Sequence, residues 1–327
     1  MKKYLVVCAA ALLLLPCFPL LSQEADEPGP GVEFTLIPRL DLSYEANELA
    51  LGNSSLYSLF EGNITDNLSF SLANHWTSLY LEDRSLVFDT SWSSLVDWAY
   101  LSYDMGNFSV SIGKDCLFSE GMEGDKYDWE VHPLLASSLW YNFGMYQYGF
   151  SAAWHNSSEN TTLAVQMVTS PYGDPFSSGL YSYGVQWKGE YGPLSNIWSV
   201  SCMDTGDGFY PLVSLGQAFS ISDSFTLAVD YSNALCDEEA ILVKGHSGYG
   251  ELSWTPSESL CIAVRGGYEY TGQALFKDAL SGYTAGGFVN WSPVENLQLH
   301  AAAGYSNLLG GFSALAGVMY NLCFSTR

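Results

Sequence analysis

The chain has 327 residues, of which 48% are hydrophobic, 15% aromatic and only 14% charged, with 31 glycines. Its formal net charge is −24, from 11 Lys and Arg against 35 Asp and Glu. That balance argues against nucleic acid as a partner, because phosphate binding needs clustered basic residues, and so little charge is unusual in a water-soluble protein of this length.

The N-terminus reads as a secretory signal. Lys2 and Lys3 form a charged region and Tyr4 to Leu15 an apolar core, followed by Pro16 and Pro19; such a core is too short for a membrane-spanning helix. Cleavage is expected after Ser22, giving a signal peptide over 1–22, a flexible leader over 23–31 and a folded part over 32–327. Cys17 offers a lipoprotein alternative, which Pro16 disfavours. No later stretch has the ~20 apolar residues of a membrane helix. Cys116, Cys202, Cys236, Cys261 and Cys323 then remain, an odd number without a CxxC pair. They read as small apolar residues and not as a disulfide framework or zinc site.

From residue 32 onward the dominant period is two. Phe34, Leu36, Leu40, Leu42 and Tyr44 share one face of the first strand; Thr35, Arg39, Asp41 and Ser43 share the other. Phe225, Leu227, Val229 and Tyr231 alternate with Thr226, Ala228, Asp230 and Ser232, and Leu297 to Tyr305 behaves likewise. This is the pattern of half-buried strands. Short turns fall at 65–67, 105–107, 156–160, 191–194, 221–224, 255–258 and 292–295, all rich in turn-forming residues. Longer connections fall at about 45–53, 78–95, 116–146, 169–178, 203–207, 234–242, 271–280 and 306–312. The two kinds alternate strictly, separating sixteen strands. An even strand number, with short turns at one end and longer loops at the other, predicts an all-β fold: a transmembrane outer-membrane antiparallel β-barrel.

Trp154, Trp187, Trp198, Trp254 and Trp291 all lie near short turns and form a candidate aromatic girdle at one membrane interface; strand-end tryptophans of a soluble sandwich are the alternative. The last strand places Val318, Tyr320, Leu322 and Phe324 on one face. Such a terminal strand resembles the one that the barrel-assembly machinery reads.

The runs DWAYLSYDMGNFSVSIGKD, DKYDWEVHPLLASSLW and YQYGFSAAW resemble the porin O/P family of Gram-negative outer membranes, the phosphate-selective porins and their relatives, over roughly residues 33 to 324. The resemblance implies a sixteen-stranded barrel, a homotrimer, and a long third loop folded inward, which is the 116–146 connection here. Phosphate-selective members line the pore with many Arg and Lys. This chain has too few to assemble a basic ladder.

The third loop carries Glu120, Glu123, Asp125, Asp128, Glu130 and His132. They form either an acidic constriction that favours cations or an ordinary solvated set; a calcium site is conceivable, but the spacing matches no loop motif. Trp129 and Trp140 in the same loop are candidates to stack a sugar or peptide. Arg39, Asp41, Lys188, Glu251, Arg265 and Glu269 fall on lumen faces, with Arg39 and Arg265 the first candidates to meet the loop acids. Lys114 alternates onto the lipid face. The histidines His75, His132, His155, His246 and His300 accompany no nucleophile elbow or HExxH pair, so no catalytic residues and no cofactor are expected. The expected function is a passive channel in the outer membrane for small hydrophilic solutes or ions, with a cation or weak preference. The alternatives are a non-conducting structural or adhesive barrel and a substrate-specific channel for sugar, peptide or phosphate.

Overall fold

The computed structural model describes residues 31–45, 48–51, 54–80, 85–88, 95–128, 131–137, 145–234, 245–271, 280–308 and 310–326. The expected signal peptide, Trp129, Glu130, Trp140 and Cys236 lie outside the described residues.

Sixteen antiparallel strands close into a barrel. In chain order they are β1 (Gly31–Glu45), β2 (Ser55–Thr65), β3 (Leu68–His75), β4 (Val96–Asp104), β5 (Phe108–Cys116), β6 (Tyr146–His155), β7 (Thr161–Thr169) and β8 (Tyr181–Tyr191). Then come β9 (Leu194–Asp204), β10 (Phe209–Ser222), β11 (Phe225–Ala234), β12 (His246–Ser257), β13 (Leu260–Thr271), β14 (Leu280–Val294), β15 (Leu297–Ser306) and β16 (Gly311–Tyr320, continued by Leu322–Thr326). Each strand pairs with its successor, and β16 returns to β1 through Glu45↔Ser313 to Arg39↔Met319, then Leu36↔Leu322 to Val32↔Thr326. The interruption at Asn321 falls beside Pro38, which has no N–H to give the ladder. A short segment, Glu48–Ala50, extends the pairing at the end of β1, and Thr77–Tyr80 pairs with Ser85–Phe88 as a separate hairpin.

The burial pattern is inverted relative to a soluble protein. Ile112, Val264 and Val185 are 65%, 59% and 55% exposed, whereas Asp41, Ser182 and Ser201 are fully buried. In a barrel wall one layer thick, alternate residues must face opposite sides. Here the apolar set faces out and the polar set faces in, as in barrels that sit in lipid. Lys114 follows the same register. Its Cα partners Ala99 and Tyr148 place it with the outward set, and its Nζ donates to the Val96 carbonyl while lying over the Tyr148 ring. Its charge is thereby met without leaving the strand end.

The short-turn end is tightly specified. At the Tyr191–Leu194 hairpin, Gly192 takes φ +63°, and Pro193 supplies the fixed negative φ that a type II′ turn needs next. Bulges at Asn63/Thr65, Ser220/Ser222, Trp254/Ser257 and Trp291/Val294 all sit at this rim, where bulges bend strands into curvature. Trp154, Trp187, Trp198, Trp254 and Trp291 are here too, on the outward face. Trp187 and Trp198 are cross-strand partners with rings edge to face at 5.1 Å. Trp254 stacks with Phe225 at 6.1 Å. Trp154 faces Phe108 and Leu163, and Trp291 faces Leu260 and Leu299.

Candidate functional site

The connection after β5 turns into the barrel, and its described part runs along the inner wall from β7 to β16. At its root Leu117 is fully buried among Val168, Met203, Tyr210 and Leu212. The Gln166 side chain grips the backbone on both sides of it: its Nε2 donates to the Cys116 carbonyl at 2.8 Å, and its Oε1 accepts from Phe118 N–H at 3.0 Å. Three successive loop carbonyls are then bound by wall serines. Ser201 donates to Phe118, Ser214 to Ser119 at 2.8 Å, and Ser199 to Glu120 at 2.6 Å. An extended backbone in a water-poor space must find partners for its carbonyls, and inward serines on β9 and β10 supply them.

Next the loop seats into a notch. Gly216 on β10 has no side chain where the loop passes: a Cβ there would lie 2.1 Å from Met122 N and 2.7 Å from Asp230 Oδ1. Gly121 is equally confined, its Cβ position being 2.3 Å from the same oxygen. Asp230 on β11 packs against the start of the short helix α1 (Met122–Lys126), its Oδ1 filling the space beside Gly121 and Gly216. Met122 packs on Ile197 and Ala218.

Two charge clusters fasten the helix. Arg265 on β13 lies 2.7 Å from Glu123 through Nη2, an ion pair without hydrogen-bond alignment, and 3.5 Å from Glu251 through Nη1. Its Nε donates to the Leu135 carbonyl at 2.9 Å. The guanidinium is held between the rings of Tyr127 (4.1 Å) and Tyr249 (4.8 Å), and Tyr249 donates to Glu269 at 3.0 Å. Glu123 also accepts from Ser137 N–H at 2.6 Å, so one carboxylate ties the helix to the later part of the loop and to the wall. Lys188 on β8 forms the second cluster, with Nζ 3.0 Å from Glu120 and 2.9 Å from Asp125. Burial alone would raise the Asp125 carboxyl; Lys188 and Lys126 outweigh it and hold its pKa below the ordinary value.

Beyond Tyr127 the loop reaches β14 to β16. Asp128, exposed, accepts from Val131 N–H at 3.0 Å and closes a turn. His132 stacks on Phe288 at 4.3 Å and meets Asn290 Oδ1 at 2.7 Å. Burial pushes this imidazole down to about 4, so it is neutral at pH 7. Leu135 is fully buried on Ala263, Phe288, Ala302 and Leu315, over Gly286 and Gly304, either of whose Cβ would come within 2.7 Å of it. Beside it His300 pairs with Asp41 at 2.7 Å, and Asp41 with Arg39 at 3.3 Å. The pair stands directly over Gly317.

The expected residues are thus distributed as follows. Glu120, Glu123 and Asp125 meet wall cations, Arg265 meets a loop acid, and Arg39 meets Asp41 on its own strand. Glu251 and Glu269 join the Arg265 cluster. Lys188, read only as lumen-facing, holds two loop acids. Four features were not anticipated: the serine ladder, the Gln166 clamp, the glycine notch and Asp230. A signal existed for the last two, since an inward glycine and an inward Asp occur at partner positions, Gly216↔Asp230.

No family profile and no curated protein matches the chain. Solved structures do. An engineered variant of the porin of Rh. blastica superposes with a TM-score of 0.62 at 13% identity, covering 89% of this chain and 100% of that one. The outer membrane channel DcaP of Acinetobacter baumannii superposes with a TM-score of 0.60 at 13% identity, covering 93% and 100%. At such identity the likeness establishes the fold, a porin-like sixteen-stranded barrel.

Proposed function

We propose that the chain is an outer-membrane porin of a Gram-negative bacterium, a passive diffusion channel for small hydrophilic solutes with weak cation preference. The observation that carries this is the inverted wall together with a loop fastened to its inner face by two charge clusters. An outward apolar surface needs lipid, and an inward loop shapes the aperture of a wet lumen. The signal peptide, the tryptophan girdle, the trimer and the O/P relationship belong to the same proposal.

Selectivity follows from the ion pairs. Arg39, Lys188 and Arg265 are each met by carboxylates, which leaves no basic ladder for phosphate among the described residues. Carboxylates outnumber cations around the loop, and confined acids raise local cation concentration. The test is planar-bilayer recording of the purified full chain, with the zero-current potential read in a salt gradient. Stepwise ohmic openings with cation preference are expected, and amide replacement of Glu120, Asp125 and Asp128 should reduce that preference. Anion preference in the unaltered protein would overturn the selectivity reading. Electrical silence would favour a structural barrel.

A further inference from the structure

The inward face of β2 to β6 differs in chemistry from the wall under the loop. Its side chains include Tyr57, Trp98 and Tyr100, all half-exposed, with Glu61 exposed below them. Lys and Arg are absent from β2, β3 and β4. The residues descend in register: Tyr57↔His75 nearest the outer rim, Ala73↔Trp98 one layer down, then Ser71↔Tyr100. Trp98 Nε1 donates to Ser71 Oγ at 2.8 Å, and Ser71 donates to Glu61 at 2.6 Å. The polar atoms therefore hold the indole in place and leave its ring on the lumen side.

At the Tyr100 layer the wall is recessed. Tyr100 is the Cα partner of Gly113, and Gly113 of Gly149. Neither glycine can be replaced by a larger residue without moving backbone, since a Cβ would lie 2.2 Å from the Ala99 carbonyl oxygen and 2.1 Å from that of Met167. Gly113 also has φ +145°, a backbone region that side-chain-bearing residues rarely adopt. One small recess, with room for about one water or one hydroxyl, is lined by Tyr100, these two glycines, Ser111, Ser151 and Asp115, with Gln166, Ile112, Phe150 and Val168 around them. Asp115 spends one oxygen on Cys116 N–H at 2.7 Å and keeps a second.

We propose that this aromatic stripe and its recess form a binding station for a neutral polyhydroxylated solute, a saccharide, on its way through the pore. An aromatic ring offers a flat apolar face to the C–H face of a sugar. Serine hydroxyls and a carboxylate beside it suit a pair of neighbouring hydroxyls, which donate to the acid and exchange hydrogen bonds with the serines. A few placed polar groups on a mostly apolar surface is the usual make-up of a small-molecule site. Anionic solutes find no counter-charge on β2 to β4. The inference rests on the channel reading and deepens it by naming the solute class.

The experiment is titration of maltose against the ion current of the purified full chain in planar bilayers. Saturable block in the millimolar range is expected. Tyr100→Leu should weaken the block by about tenfold while open-channel conductance stays within about twofold, and Tyr100→Phe should keep most of it. Heat-modifiable migration in detergent gels confirms that each variant is folded. A current that falls only in proportion to solution viscosity, an unchanged block in Tyr100→Leu, or block by a lysine-containing dipeptide but not by maltose would each overturn the saccharide station while the channel reading stands. Absence of any conductance would overturn both.

Discussion

The wall from β7 to β16 and the wall from β2 to β6 obey the same alternation, yet their inward faces serve different ends. Under the loop, inward residues are buried and mutually committed: serines to carbonyls, Arg265 to Glu123 and to the Leu135 carbonyl. On β2 to β6, inward aromatics remain half-exposed and their polar atoms bond within the wall. Among the described residues, the loop lies against one half of the barrel and not against the other. The contrast shows that a strand pattern specifies which side a residue faces, while the residue type at each inward layer decides whether that side is occupied.

The contrast breaks most severely at Arg265. Replacing it by Met would leave Glu123 and Glu251 without their buried cation, at a cost of roughly 3–5 kcal/mol to loop docking. The expected outcome is rapid protease cleavage within 122–137 and noisier, larger channel openings. The next test concerns the wall common to both halves. Leu227 and Val229 are 40% and 49% exposed on the outward face. Arg at either position should cost about 2–4 kcal/mol near mid-membrane, measured by urea unfolding in lipid vesicles, and Ala228→Ser, facing inward, should cost far less.

A pH test sharpens the same division. His132 is an unfolded-state base of about 6.5 whose folded pKa is pushed down to about 4 by burial, with His300 and Arg39 opposing its charge and Asp41 favouring it. The unfolded or undocked loop binds the proton more readily, so docking is at full strength above about pH 6.5. It weakens as pH falls through the window toward 4, by about 3 kcal/mol. Protease susceptibility of the loop should rise in that window, and His132→Gln should flatten the response. The smallest effects belong to the serine ladder. Ser199→Ala or Ser214→Ala should each cost about 1 kcal/mol, and the two should couple because adjacent loop carbonyls share one backbone.

The architecture was legible because each strand carries its own period and each short turn its own chemistry. Gly192-Pro193 and Met105-Gly106-Asn107 announce hairpins locally, and the register follows. The loop was legible only as a gap in that pattern. Glu123 and Asp128 are both acids of one acidic run, yet one is buried against Arg265 and the other is exposed. What separates them is the phase of a single helical turn and the position of a cation 142 residues later in the chain, and neither is written in the local sequence. Lys188 shows the same thing from the wall side: its inward face was readable, its two carboxylate partners were not.

The closure between β16 and β1 has a consequence for synthesis. It joins residues 31–45 to residues 311–326, the two ends of the described chain. Until the last strand has been made, β1 and the most recently made strand are open edges, each with unpaired donors and acceptors along one side, the arrangement most prone to pairing with a wrong neighbour. No amount of local order in the intervening hairpins removes that exposure, because the final contact has the greatest sequence separation in the molecule and the largest loop-closure cost. A newly translated copy is therefore hazardous to its surroundings for as long as its tail is missing, and truncation after Ser306, which removes β16, would leave β1 and β15 permanently in that condition.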